Sequence, residues 1–169
     1  MNDTTTALAA LLAGGGDLVE ILNTHRSAFD RVIGLRFTRI TDDAVEAEVP
    51  VAAALLQPYG LVHGGVYSAI VETLASTGAA LAAMRREQTT VGLENATSFL
   101  RGTRGGTLHA RGTPLHRGSR TQVWAVEIRD DEGREVANGR VRMLCLDRGA
   151  SVAGETVAIK ASGPAAGGS

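Results

Sequence analysis

One long helical segment followed by four strand-like segments constrains the fold of this chain more than any other feature. Residues 66–86 contain no proline and many alanines, and apolar side chains recur along them at steps of three and four residues. A helix of this length extends about 30 Å. After it, the apolar pattern changes to period two in residues 89–100, 107–116, 121–129 and 135–146. The short Gly-rich or acidic turns between these segments predict consecutive antiparallel strands.

The residues before the long helix predict a short helix and a strand pair. Apolar side chains between residues 18 and 33 recur at helical spacing, which predicts one amphipathic helix that ends at Gly34. Residues 35–40 and 44–49 flank an acidic turn and predict a β-hairpin. The ridge of the long helix can cover one face of a sheet built from all six strands. We therefore predict an α+β fold, a six-stranded antiparallel sheet wrapped around one long central helix.

Length and composition fit one domain. The chain has 169 residues, is 44% hydrophobic and carries a formal net charge of -1, and a domain of this size buries enough surface to need no disulfide. Residues 1–16 and 151–169 lack periodic apolar content, so we predict mobile tails around a domain of residues 17–150. The single cysteine, Cys145, predicts a reduced, cytoplasmic protein.

Charge and motif content argue against several function classes. Seventeen basic and eighteen acidic residues leave no electrostatic footprint for nucleic acid. The early apolar stretch, residues 7–13, is far shorter than a membrane span. The four histidines lack the spacing and the neighbouring ligands of a metal site, and no phosphate-binding glycine motif or serine-hydrolase motif is present. We therefore expect no nucleic acid, membrane, metal or cofactor as a partner.

Glu72 is the most unusual residue of the long helix. It is the only acidic residue between Glu48 and Glu87, and it lies off the apolar ridge. Ser68 and Ser76 occupy the positions four residues before and after it, so the salt bridge that usually accompanies an exposed helical glutamate is missing. A carboxylate in these surroundings has either a partner across an interface or a catalytic role.

The same face of the helix carries small side chains, which would let another surface approach closely. They are Ser68, Ala75, Ser76, Ala79 and Ala83. A solvated helix face would normally carry more Lys and Glu. We therefore predict that a second copy of the chain packs here and forms a dimer.

Two glycines, Gly64 and Gly65, lie immediately before the helix. Their backbone N–H groups are sterically open at the positive end of the helix dipole, which favours an anion or a polarised carbonyl, although such a pair also serves in tight turns. Gly65 and Glu72 are about 10 Å apart along the helix axis, too far to act on one carbonyl. Two antiparallel helices across a twofold axis would bring Gly65 of one subunit to Glu72 of the other.

A longer motif spans the start of the central helix. It reads Gln57-x5-His63-Gly64-Gly65-Val66-Tyr67-Ser68-x3-Glu72, and four long strands follow it. This pattern resembles that of the hotdog-fold acyl-CoA thioesterases, and within them the phenylacetate-pathway (PaaI-like) type. Many relatives carry aspartate where Glu72 stands here. A glutamate at this position resembles the branch that includes the Arthrobacter-type 4-hydroxybenzoyl-CoA thioesterase. The resemblance covers about residues 30–148 and implies a hotdog fold.

The resemblance implies a role for individual residues of the motif. Glu72 would be the nucleophile or the general base, and the N–H of Gly65 would polarise the thioester carbonyl. Gln57 and His63 would be supporting polar groups near that carbonyl. Ser76, one helical turn beyond Glu72, would orient water or the carboxylate.

The resemblance also implies where coenzyme A binds and how the chain assembles. Residues 116–124 resemble the strand-turn-strand segment that holds the phosphates and pantetheine of coenzyme A in such enzymes. The candidates are Arg101, Arg104, Arg117, Ser119, Arg120 and Thr121. Guanidinium and hydroxyl groups suit phosphate recognition, but arginines in turns also form solvated rims. The implied assembly is a homodimer with shared active sites that forms a homotetramer.

We therefore predict an acyl-CoA thioesterase that acts on an aromatic acyl group, such as a 4-hydroxybenzoyl- or phenylacetyl-like group, or on a medium-chain acyl group. No cofactor is implied beyond the coenzyme A of the substrate. Two alternatives on the same fold stay open. A non-catalytic acyl-CoA-binding protein would dispense with Glu72, and an enoyl-CoA hydratase would need a paired Asp and His near the central helix.

Overall fold

The computed structural model describes residues 16–157. Three α-helices and eight strands form in this part of the chain. The helices are α1 Leu18–Thr24, α2 Ala28–Val32 and α3 Gly64–Met84. The strands are β1 Arg36–Ile40, β2 Val45–Pro50, β3 Gln88–Phe99, β4 Thr107–Arg117, β5 Thr121–Arg129, β6 Glu135–Asp147, β7 Ser151–Val152 and β8 Glu155–Thr156.

Six strands form one antiparallel sheet in the order β1-β2-β4-β5-β6-β3. Hairpin turns join β1 to β2, β4 to β5 and β5 to β6, whereas β3 pairs with β6 at the edge of the sheet. Helix α3 packs against the five strands β2 to β6, and Ile70, Val71 and Leu74 are fully buried there. The predicted α+β architecture, one sheet around one long central helix, is confirmed.

The N-terminal helical segment is two helices rather than the one predicted. Helix α1 ends at Thr24, and Ser27 starts α2 because its hydroxyl accepts a hydrogen bond from the Asp30 N–H at 3.0 Å. Serine is favoured at this position because it satisfies one of the unpaired N–H groups of a helix start. The Asp30 carboxylate accepts a further hydrogen bond from the Thr73 hydroxyl at 2.9 Å, which fixes α2 on α3.

The small residues of α3 serve packing within the chain more than the sequence suggested. Three alanines of the predicted interface face are fully buried inside the chain: Ala75, Ala79 and Ala83. Gly78 lies against the ring of Trp124, where a Cβ atom would be 2.5 Å from the ring. The sheet therefore covers more of the helix than one apolar ridge requires, and the open part of the predicted face is reduced to the half-buried Ser68, Glu72 and Ser76.

Helix α3 is long and apolar enough to cross a membrane by length and composition alone, with a mean hydropathy of 1.3. Half of that apolar stretch is buried inside the chain, and five strands pack on it. Its apolar character is therefore that of a core helix.

The segment after β6 differs from the predicted tail. Residues 151–156 form the short hairpin β7–β8, in which Ser151 pairs with Thr156. The remaining part of the predicted C-terminal tail, residues 158–169, and residues 1–15 of the N-terminal one lie outside the described residues.

Candidate active site

A tight turn before α3 brings several predicted site residues together. An isolated β-bridge closes residues 56–62, and Gly60 within them adopts a φ of +70°, which favours glycine. The turn holds Gln57 beside Gly64, and both line a cavity of about 270 Å³ at the N-terminal end of the helix. The sequence Gln57 to Gly64 therefore folds back on the helix start that it precedes.

The cavity has a mixed aromatic and polar lining. Its walls include Gln57, Leu61, Tyr67, Phe99, Leu100 and Arg101. The Tyr67 and Phe99 rings pack with centroids 5.9 Å apart, and Gly64 leaves room for Phe99, since a Cβ there would be 2.8 Å from its ring. Burial raises the pKa of the Tyr67 hydroxyl, so this group stays neutral. The lining suits a flat apolar group.

The two glycine N–H groups at the helix start differ in their bonding. His63 caps the helix, and its Nδ1 accepts a hydrogen bond from the Gly65 N–H at 2.9 Å. Within residues 16–157, no acceptor bonds the N–H of Gly64, which borders the cavity. The donor left free at the positive end of the helix is therefore that of Gly64, while the imidazole occupies the Gly65 donor predicted for this role.

Glu72 lies half-buried in the middle of α3, and its carboxylate is held from two elements. Ser76 Oγ, one turn further along α3, donates to Oε1 at 3.2 Å. Asn95 Nδ2, on β3, donates to Oε2 at 2.9 Å. Gly92 leaves space for the carboxylate, because a Cβ there would be 2.9 Å from Oε1. Both donors are neutral, so they order the carboxylate without neutralising its charge.

Sequence reasoning missed Asn95 and Gly92, because both lie in a segment with the pattern of an ordinary strand. Asparagine is depleted in strands, and glycine in a strand often marks a close approach of another group. These two unusual residue types, three positions apart, are the signal that could have pointed to a site on β3.

The site residues form two groups along the helix. Gln57, His63 and Gly64 lie at its N-terminal end, whereas Glu72 and Ser76 lie in its middle. Gly64 and Glu72 are separated by eight residues, about 12 Å along the axis, and Glu72 is not part of the cavity lining. Among residues 16–157, no group of three or more potential metal ligands lies close together.

The predicted coenzyme A residues also fall into two groups. Arg101 and Arg104 lie near the N-terminal end of α3. Residues 117–121 lie near its C-terminal end, where Arg86 donates to the Gly118 carbonyl oxygen at 3.1 Å. Because α3 is about 30 Å long, a single chain does not bring the two groups together.

Two of these arginines already have partners within the chain. Arg117 donates to the Asp43 carboxylate at 2.7 Å, and Arg104 donates to a carbonyl oxygen in the turn before α3 at 2.9 Å. The side chains of Arg101 and Arg120 are exposed and have no partner in the described part of the chain. They are the arginines best able to meet a ligand.

Comparison with known proteins places this chain in a family. Residues 59–137 match the Thioesterase superfamily. The chain is also 39% identical over 114 residues to the 1,4-dihydroxy-2-naphthoyl-CoA hydrolase of Escherichia coli, which is 68% of this chain and 83% of that protein. The chain belongs to the thioesterase superfamily. This thioesterase is 38% identical to the proofreading thioesterase EntH of Cronobacter turicensis, over 64% of this chain and 79% of that one.

A solved structure confirms the fold of this thioesterase. The thioesterase from Haemophilus influenzae superposes with a TM-score of 0.73 at 31% identity, covering 78% of this chain and 92% of that one. The predicted hotdog fold is therefore confirmed, and the chain is a thioester hydrolase. The finer resemblance, to the branch of the Arthrobacter-type enzyme, stays a prediction.

Proposed function

We propose that this hotdog thioesterase hydrolyses an acyl-CoA with an aromatic or medium-chain acyl group to the free acid and coenzyme A. The observation that carries the proposal is the Glu72 carboxylate, half-buried and held by two neutral donors. The aromatic lining from Tyr67 and Phe99 supports an aromatic acyl group, as does a relative named for an aromatic acyl-CoA. A 4-hydroxybenzoyl- or phenylacetyl-like group is the substrate that we expect.

In the proposed reaction, the N–H of Gly64 and the carboxylate of Glu72 act on the same thioester carbonyl. Attack on the thioester turns the carbonyl oxygen into an oxyanion, so a donor that is already in place lowers the barrier. The free N–H of Gly64 supplies this donor, with Gln57 and His63 nearby. Glu72 either takes a proton from the attacking water or attacks the carbonyl carbon itself. In both routes the thiolate of coenzyme A leaves, and water supplies the second oxygen of the acid.

The same proposal requires a homodimer with shared active sites. One carbonyl cannot span the roughly 12 Å between Gly64 and Glu72 of a single helix. Antiparallel α3 helices across a twofold axis bring Gly64 of one subunit to the partner's Glu72. The edge strand β3, with exposed Leu93 and Phe99, offers the contact, because unpaired edges and apolar patches favour association. Two such dimers would form a homotetramer that acts in the cytoplasm.

The antiparallel arrangement also explains the two groups of coenzyme A residues. It places the C-terminal end of the partner's α3 beyond the cavity of the first subunit, about 18 Å from Gly64 along the helix axis. Arg101 of one subunit and Arg120 of the other would then meet the same ligand, with Ser119 and Thr121 as hydroxyl donors. Arg104 and Arg117 would contribute less, because both already bind groups of their own chain.

Release of free thiol from a panel of acyl-CoAs tests the proposal. We expect turnover of benzoyl-, 4-hydroxybenzoyl- or phenylacetyl-CoA to exceed that of straight-chain acyl-CoAs, and we expect Glu72→Gln to lose it. Tight binding without thiol release would identify a non-catalytic acyl-CoA-binding protein. Addition of water to an enoyl-CoA without thiol release would identify a hydratase.

A further inference from the structure

Asn95 joins strand β3 to the Glu72 carboxylate. Its Nδ2 donates to Glu72 Oε2 at 2.9 Å and to the Ser68 carbonyl oxygen at 3.1 Å. Ser76 binds the other carboxylate oxygen, Oε1, from within α3. Each oxygen therefore has one donor, and the two donors come from different elements. Among residues 16–157, the hydrogen bond from Asn95 is the one that ties the carboxylate to the sheet.

The direction of the Asn95 amide follows from its neighbours. Its Nδ2 faces two groups that only accept, the carboxylate of Glu72 and the carbonyl oxygen of Ser68. Its Oδ1 lies 2.6 Å from the hydroxyl of Thr97, which donates to it. A flipped amide would set an acceptor against two acceptors, so only one orientation satisfies all partners. Glu72 and Ser68 therefore set the direction of the amide, and the hydrogen bond from Thr97 anchors its oxygen.

A β-bulge presents Asn95 to the helix. In the pairing of β3 with β6, Gly92 lies opposite Met143 and Glu94 lies opposite Arg142, so Leu93 is an extra residue. In a regular strand, residues 92 and 95 would point to opposite faces of the sheet. Here both meet the Glu72 carboxylate, Gly92 by leaving space at Oε1 and Asn95 by binding Oε2. The extra residue therefore places the Asn95 side chain on the same face of the sheet as Gly92, toward Glu72.

We propose that Asn95 is a positioning residue for Glu72 and that Thr97 acts through it. The inference rests on the proposed thioesterase reaction. A glutamate side chain rotates about three bonds, and hydrogen bonds at both oxygens confine it to one arrangement. Substrate binding does not need this contact, but attack from a defined position does. Asn95 and Thr97 therefore affect turnover more than substrate affinity.

A set of four variants tests this proposal. Asn95→Ala removes the donor, Thr97→Val removes the hydroxyl that anchors the Asn95 side chain, and Thr97→Ser keeps that hydroxyl as a matched control. The fourth variant combines Asn95→Ala with Thr97→Val. We measure kcat and KM on the best acyl-CoA and the urea midpoint of unfolding for each, beside wild type and Glu72→Gln.

We expect Asn95→Ala to lower kcat about tenfold or more, with KM within about twofold of wild type. Thr97→Val should lower kcat less, and Thr97→Ser should match wild type. The double variant should be no slower than Asn95→Ala, because Thr97 acts only through the amide that is then absent. The unfolding midpoints should not follow kcat.

A kcat for Asn95→Ala within about threefold of wild type would overturn the proposal. So would losses of kcat that add up in the double variant and follow the unfolding midpoint, since a merely structural role predicts both. If Asn95→Ala does not fold, equal kcat for Thr97→Val and Thr97→Ser would overturn the proposal instead. These outcomes leave the proposed function standing as long as wild type turns over and Glu72→Gln does not. A wild type without turnover on any acyl-CoA would overturn both proposals.

Discussion

Glu72 is the general base or the nucleophile of the proposed reaction. Its carboxylate is ordered by the hydroxyl of Ser76 and the amide of Asn95, which carry no charge. Glutamine at this position would keep the shape of the side chain. It would lose the negative charge, and with it the ability to accept a proton or to attack a carbonyl.

We therefore expect Glu72→Gln to lower kcat at least about 100-fold, while the unfolding midpoint and the affinity for coenzyme A stay near wild type. Steady-state kinetics and urea unfolding measure the two effects. Glu127→Gln, the same chemical change at an exposed position of β5, is the control. Activity of Glu72→Gln within about tenfold of wild type would remove this residue from the mechanism.

The backbone donor at the helix start can be tested with a matched pair. Gly64→Pro removes the N–H at the first helical position, where proline is tolerated, and His63 already has the extended ψ of 135° that proline requires before it. Gly64→Ala places a similar Cβ against Phe99 but keeps the N–H. We expect kcat of Gly64→Pro to fall about 100-fold below that of Gly64→Ala. Equal values of kcat would exclude this donor.

Single residues differ in how far the sequence could predict them. Glu72 stood out because no oppositely charged side chain lies one helical turn before or after it, and this follows from spacing alone. The N–H that polarises the carbonyl was predicted at Gly65, whereas the free N–H of the structure is that of Gly64, because the choice depends on the side-chain orientation of His63. Asn95 stayed hidden because its face is set by a bulge, and apolar Leu93 continues the strand pattern through it.

Whole elements were easier to predict where periodicity is long. The predicted strand 121–129 has the bounds of β5, and β4 and β6 each end one residue later than predicted. Strand β3 starts and ends one residue earlier than predicted. Helix α3 starts two residues earlier than predicted, since glycine has a low helix propensity and the cap from His63 completes the first turn. The short N-terminal helices were merged because their break depends on one capping hydroxyl, that of Ser27.

The turn between β5 and β6 depends on one buried carboxylate. Asp130 accepts hydrogen bonds from the Arg134 side chain at 2.8 Å and from the N–H groups of Glu132 and Arg134. The hydrogen bond from the Arg134 side chain holds the pKa of Asp130 below its ordinary value of 3.8. A carboxyl whose pKa is lower in the folded than in the unfolded state stabilises the fold at higher pH. This stabilisation is lost as the pH falls through the folded-state pKa.

We expect Asp130→Asn to lower the thermal midpoint at pH 7 and to show a smaller further decrease than wild type between about pH 5 and pH 2. Melting curves across this range measure the effect. Glu87→Gln, at an exposed position after α3, is the control and should follow wild type. A pH dependence of Asp130→Asn parallel to that of wild type would contradict the role of this carboxyl.

At the scale of the whole molecule, a single chain carries two incomplete halves of a site. The cavity and the Gly64 donor lie at one end of α3, and Glu72 lies about 12 Å away, next to the open edge strand β3. The sequence placed Ala79 on the predicted dimer interface, but this residue is buried within its own chain. A substitution of Ala79 therefore cannot test the interface. The shared site is better tested by mixing damaged chains.

A chain with Glu72→Gln lacks the carboxylate of a shared site, and a chain with Gly64→Pro lacks its backbone N–H donor. After random equal mixing, half of the dimers are mixed, and each mixed dimer has one doubly damaged site and one intact site. We therefore expect a co-refolded mixture to recover about a quarter of wild-type activity, while each parent stays nearly inactive. A mixture as inactive as its parents would show that each site belongs to one chain. Sedimentation of the wild type as a monomer at assay concentration would contradict sharing as well.

The packing of Trp124 against α3 gives the protein a built-in optical probe. It is the only tryptophan of the chain, it is 1% exposed, and its indole N–H donates to Gln122 Oε1 at 3.1 Å. Its fluorescence will move to longer wavelength when water enters the core, because an exposed indole emits further to the red. The ring touches Gly78, about 21 Å along the helix from Gly64. The emission of Trp124 therefore follows the integrity of the core separately from events at the helix start.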